Sequence, residues 1–233
     1  MTAPYDPRRP ALTARIAAEL IAHEGIVLEA YRDSVGIWTW GVGLTDASGH
    51  RVGRYRDKPQ ALSRCLEVYL WVLEHRYLPA VLAAFGPLAP LEHELAAALS
   101  FHWNTGAIAR AEWMRLLREG DRVEARTAMM AWCRPVSLTA RRGAEQALFF
   151  DGTWSGDGSA LVYAVAKPSY RPAGGKRQAV MDTLRVLLGE MGEPAPTAPV
   201  PPTSIIRTAT CPATPHALPE AGKGNWFTRL FLD

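Results

Sequence analysis

The chain has 233 residues, 48% hydrophobic and 21% charged, with a formal net charge of +3; this suffices for one sizeable core and excludes collagen-like and wholly disordered classes. Basic and acidic residues balance at 26 against 23, too even for a dedicated nucleic-acid binder. The longest uncharged stretch of the first 150 residues, Tyr77 to Leu91, is interrupted by Pro79, Pro87 and Pro90, so no transmembrane segment is expected.

The opening MTAPYDPRRP leads into a helix carrying Arg15, Glu19 and Glu24. It lacks the apolar core of a signal peptide, and synthesis in the cytoplasm is the expectation. Within that helix Ala17, Leu20, Ile21 and Glu24 fall at i, i+3, i+4 and i+7, one stripe that ends in a carboxylate, and Gly25 stops it. From Tyr31 to Thr45 the period changes to two, with Ile37, Thr39 and Gly41 alternating against Trp38, Trp40 and Val42, which reads as a strand. Turn residues Ser48, Gly49 and Gly53 follow, so residues 31–57 read as a small β-lobe. The pattern is helical again from Gln60 to about Gly152, with core helices expected over Leu95 to Trp103, Trp113 to Leu117 and Val123 to Trp132. Leu161 to Val165 reads as a short strand and Ala179 to Leu188 as a short helix. Eight of the 18 prolines lie between Pro194 and Pro219, a composition of extended chain. The apolar spacing of Trp226, Phe227, Leu230 and Phe231 suits either a docking helix or a frayed end. The expected division is an arm at 1–10, a catalytic domain at 11–155, an extension at 156–189 and a proline-rich tail at 190–233.

Cys65, Cys133 and Cys211 are widely spaced, odd in number and without CxxC spacing, so reduced buried thiols are expected rather than a disulfide framework or a zinc site. No histidine has metal-ligand spacing, Gly41-Val-Gly43 lacks the third glycine of a dinucleotide fingerprint, and no nucleophilic Ser or Cys elbow is present. No metal or cofactor is expected. Arg141-Arg142, on a helix with Glu145, reads as a solvated or salt-bridged face.

The chemistry concentrates near the first helix. A carboxyl half buried at Glu24 has its charged form disfavoured and its pKa raised, the property of a general acid near neutral pH. Taken alone, a glutamate facing water at a helix end is the simpler reading. Asp33 lies nine residues later in the polar turn Arg32-Asp33-Ser34, where it should stay ionised and the wetter of the two. Thr39 follows six residues on, with a hydroxyl able to hold a water against Asp33. Two carboxyls in contrasting environments across a cleft are the equipment of a glycosidase.

The stretch Glu24-Gly-Ile-Val-Leu-Glu-Ala-Tyr31-Arg-Asp33-Ser-Val-Gly36-Ile-Trp-Thr39-Trp-Gly41-Val-Gly43 resembles the active-site signature of the bacteriophage-type lysozymes, the endolysin muramidases of glycoside hydrolase family 24. The frame is Glu, eight residues, Asp, five residues, Thr, then GxG. The similarity continues through Ala98 to Gly106, Leu116 to Asp121, Trp132 and Arg141 to Glu145, and ends near Trp154. It implies an α+β lysozyme-like fold: a mainly helical lobe, a small β-lobe and a saccharide cleft between them. It also implies a lysozyme (muramidase) activity on peptidoglycan, cleaving the β-1,4 bond between N-acetylmuramic acid and N-acetylglucosamine without cofactor or metal. Glu24 then becomes the proton donor, Asp33 the second carboxylate and Thr39 the hydroxyl that positions water. Thr45 and Phe101 become saccharide contacts, against the plainer readings of a turn residue and a core residue. Many relatives carry His after the second glycine, where this chain has Leu44. Trp38 and Trp40 read as core before cleft wall. A monomer is expected, acting on the wall after holin-dependent release or as part of a virion or tail-like particle. The rivals are a lytic transglycosylase, which needs only the acidic Glu, and a non-catalytic wall-binding or particle-structural protein.

Overall fold

The computed structural model describes residues 11–190; the arm at 1–10 and the tail with Cys211, His216 and the Trp226 to Phe231 segment lie outside the described residues. In chain order the elements are α1 (Ala14–Glu24), β1 (Ile26–Arg32), β2 (Trp38–Gly41), β3 (Leu44–Thr45), α2 (Leu62–Val72), α3 (Leu78–Phe85), α4 (Glu92–Thr105), α5 (Glu112–Arg118), α6 (Arg122–Met129), α7 (Thr139–Asp151), β4 (Ser159–Ala166), β5 (Arg171–Ala179) and α8 (Met181–Leu188). A π-helical turn, Leu73–Tyr77, joins α2 to α3.

The α1 stripe read from the sequence is the buried one: Ala17, Leu20, Ile21 and Glu24 all face inward. Thr13 caps the helix by accepting a hydrogen bond from Ile16 N at 3.1 Å, meeting one of the free N–H groups of the first turn. Helix α4 is apolar nearly all round from Leu95 to Phe101, the signature of a helix enclosed on every side; α1, α3 and α7 pack against it. Ile16, Leu20, Tyr69, Trp103, Trp113 and Phe149 join in a single core.

The sheet is mixed, with strand order β3-β2-β1-β4-β5. Strand β1 pairs antiparallel with β2, Tyr31 opposite Thr39, and parallel with β4, Ile26 opposite Val162. Sequence patterning does not disclose β1, because residues 26, 27, 30 and 31 are all buried and both of its faces are covered, which erases the period-two signal. The short strand expected near Leu161 is β4, and the helix expected near Ala179 is α8. Both are built into the same body: Val162, Val180 and Leu184 lie in the main core. Buried Glu19 of α1 accepts hydrogen bonds from Ser155 N, Ser155 Oγ and Gly156 N, anchoring the start of the 156–189 extension.

The expectation of reduced cysteines needs one correction. Cys65 is free and buried, whereas Cys133 is disulfide-bonded; spacing along the chain carries no information on which sulfurs meet in space. Trp40 is fully buried and stacks on Tyr55 with 3.8 Å between ring centroids, whereas Trp38 is half-buried. Among the described residues, no helix is long and apolar enough to cross a membrane.

Candidate active site

Gly25, at φ 68 and ψ 177, turns the chain from α1 straight into β1 while its N–H bonds back to Ile21 O. An L side chain disfavours that φ, and glycine supplies it freely. The turn leaves Glu24 as the last helical residue, on the seam between helices and sheet. Its side chain is enclosed. Arg141 Nη1 donates to Oε1 at 2.5 Å, and Oε2 has no protein partner. Burial raises the Glu24 pKa and outweighs the opposing pull of the Arg141 charge.

Arg141 belongs to a wider network. Its Nε donates to Glu145 Oε1 at 3.0 Å, Ser100 Oγ donates to the same oxygen at 2.7 Å, and Arg142 pairs with Glu145 Oε2. Arg142 also donates to Asn104 Oδ1 at 2.8 Å. Burial works against the carboxylate form of Glu145, but the two guanidinium charges and the Ser100 hydrogen bond outweigh it and lower its pKa. Burial and charge thus push the two carboxyls that Arg141 bridges in opposite directions, Glu145 toward its charged form and Glu24 toward its neutral one. Of the two expected alternatives, a solvated or a salt-bridged face, the salt-bridged one holds, and it is buried: Arg141 is 5% exposed and Arg142 0%. The helix presents both side chains to α4 rather than to water.

Asp33 departs from expectation as well. Its turn is polar, but the carboxyl is 0% exposed, because the chain folds around it: Oδ1 accepts from Val35 N at 3.0 Å and from Ile37 N at 2.8 Å. Oδ2 is left without a protein partner. The two carboxyls thus differ in partners, backbone amides for one and an arginine for the other, rather than in wetness. Thr39 is also buried. Its Oγ1 donates to Ile37 O at 3.3 Å, and it is hydrogen-bonded to the Tyr31 hydroxyl across the ladder. Burial, then the charges of Glu24 and Asp33, push the Tyr31 pKa well up. One tyrosine ring therefore senses both carboxyls and touches Thr39, and Tyr31 is a site residue that spacing arguments passed over. Its only sequence signal is its place two residues before Asp33.

Thr45 is half-buried and stands opposite Thr39 on the β2–β3 ladder, where its N–H donates to Ser48 Oγ at 3.2 Å. Phe101 is 0% exposed, edge-on to Trp113 and Trp132, with the Arg142 guanidinium 4.6 Å over its ring. Those neighbours pack it as the plainer, core reading expects. Leu44, just after the GxG turn, is fully buried in the core.

Residues 21–145 match the phage lysozyme family model. Among solved structures, an endolysin from Escherichia coli O157:H7 phage FAHEc1 superposes with a TM-score of 0.53 at 22% identity, over 62% of this chain and 96% of its own. The muramidase domain of SpmX from Asticaccaulis excentricus (TM-score 0.49, 19% identity, 61% of this chain and 99% of its own) is also similar. So is a variant of P22 lysozyme (TM-score 0.49, 25% identity, 59% of this chain and 97% of its own). No curated protein sequence matches the chain.

Proposed function

Because the chain belongs to the phage lysozyme family, a family of peptidoglycan hydrolases, we propose that it cleaves the β-1,4 bond between N-acetylmuramic acid and N-acetylglucosamine, with Glu24 as general acid and Asp33 and Thr39 placing the water. The supporting observation is the pairing of two buried carboxyls that each have one oxygen tied down and the other bare. Arg141 occupies Oε1 of Glu24, so the proton of the neutral acid resides on Oε2, where it can be passed to the leaving glycosidic oxygen. Two backbone amides saturate Oδ1 of Asp33, which leaves Oδ2 to take a proton from water. Thr39, already donating to a carbonyl, faces that water as an acceptor.

Delivery to the wall through a holin pore or on a particle belongs to the same proposal. A lytic transglycosylase needs the acid alone and forms an anhydro end. Mass spectrometry of muropeptides released from purified sacculi distinguishes the two: the proposal expects reducing ends, and anhydromuramyl ends or no release would overturn it.

A further inference from the structure

The turn between β4 and β5 lies beyond the segment that the family model matches, yet it touches the backbone on either side of the second carboxylate. Tyr170 O accepts from Arg32 N at 2.8 Å, and Arg171 Nη1 donates to Asp33 O at 3.2 Å. The Tyr170 ring meets Trp38, which pairs with Arg32 across the ladder, edge-on at 5.1 Å. Parallel pairing of β1 with β4 is confined to residues 26 and 27, so the far end of β1, where Asp33 begins its turn, depends on this contact for its outer support.

The contact is itself braced. Among the described residues the two non-glycine positions with left-handed φ are Asp57 (φ 56) and Tyr170 (φ 55), and they are bonded to each other: Tyr170 Oη donates to Asp57 Oδ1 at 2.9 Å. Lys167 ties the same Asp57 at 2.6 Å and reaches Glu29 of β1. Disfavoured backbone persists only where its surroundings over-determine it, and it gathers where geometry matters to function. Here both instances converge on one clasp.

We propose that the β4–β5 turn is a clasp that fixes the position of Asp33, with Arg171 and Tyr170 as positioning residues. The inference rests on the reading of Asp33 as the water-placing carboxylate. Asp33 O also accepts from Gly36 N, and Asp33 N donates to Ile37 O. The clasp therefore secures the outer side of a turn whose inner side aims the carboxyl. Arg171 is exposed and packs into no core, so its removal loosens the turn without undermining the fold.

The test uses the full chain and soluble peptidoglycan fragments, with reducing ends counted under steady-state conditions and melting followed in parallel. Arg171→Ala is expected to lower kcat roughly 10-fold with KM within about twofold, as a small misplacement of a reacting group does. Arg171→Lys should recover most of the loss, because a lysine can still donate to a carbonyl. Tyr170→Phe, which keeps the ring but drops the bond to Asp57, should lower kcat in the same sense. If Arg171→Ala does not fold, the lysine and phenylalanine variants carry the test alone. The clasp is refuted by an unchanged kcat in Arg171→Ala or Tyr170→Phe, by a change confined to KM, or by a loss that lysine does not recover. A wild-type chain that releases no reducing ends refutes the underlying enzymatic reading instead.

Discussion

The Glu24 pKa is raised because burial costs the carboxylate more than one arginine returns. In the proposed mechanism Glu24 is the sole proton donor: Glu24→Gln keeps the shape, and clearing of sacculi should fall by at least about 100-fold, as loss of general acid catalysis predicts. The same burial links folding to pH. A carboxyl with a raised folded-state pKa favours the folded state fully at pH values below its unfolded pKa, and that contribution is lost as pH rises through the folded value. Glutamine mimics the neutral form throughout. The melting midpoint of Glu24→Gln relative to wild type should therefore rise as pH increases above about 4, the unfolded pKa, and level off once pH passes the folded-state value; a difference flat in pH would contradict the raised pKa. Asp33→Asn should abolish release of reducing ends, since it puts an NH2 donor where the bare Oδ2 would accept a proton. Thr39→Ala should weaken release through water misplacement. Cleavage by both variants with anhydromuramyl products would favour the transglycosylase.

At the scale of elements, α7 matters through what it inserts. Two arginines and Glu145, all nearly excluded from solvent, are packed between α7 and α4 with Ser100 and Asn104 completing their hydrogen bonds. Such a cluster adds little net stability while intact and is costly to break, because the remaining charges are left buried. Glu145→Gln should lower unfolding free energy by about 3–5 kcal/mol, read from chemical denaturation. Because the Glu145 pKa is depressed, the stability it contributes is present above its unfolded pKa and disappears as pH falls through the folded value. The mutant and wild type should accordingly converge in strongly acid solution. The same network explains how α7, far along the chain, reaches α1 and grips Oε1 of Glu24.

Across the whole molecule, the 156–189 extension completes the sheet and the core. Ending the chain after Gly156 uncovers β1 and removes Val162, Val180 and Leu184 from the core, so that protein should lose its cooperative melting transition. Ending it after Gly189 should leave a domain that melts cooperatively and digests sacculi, because each of the described elements is retained. Aggregation of the Gly189-terminated chain would place the tail within the core.

Sequence alone determined what acts over a few residues. The α1 stripe and its glycine stop put Glu24 at a helix end, alternation from Ile37 to Val42 marked β2, and the spacing of Glu24, Asp33 and Thr39 pointed to the family. Those signals are local, set by backbone sterics and by helix and strand period. Tertiary structure decided the surroundings. Glu24 meets a guanidinium 117 residues away, Asp33 is sealed by its own turn, and Phe101 is roofed by Arg142. Strand β1 lies between β2 and β4 with residues of both its faces buried, which hides its alternation. Burial and charge pairing arise from contacts between residues distant in the chain, and neither composition nor spacing records which of those residues will meet.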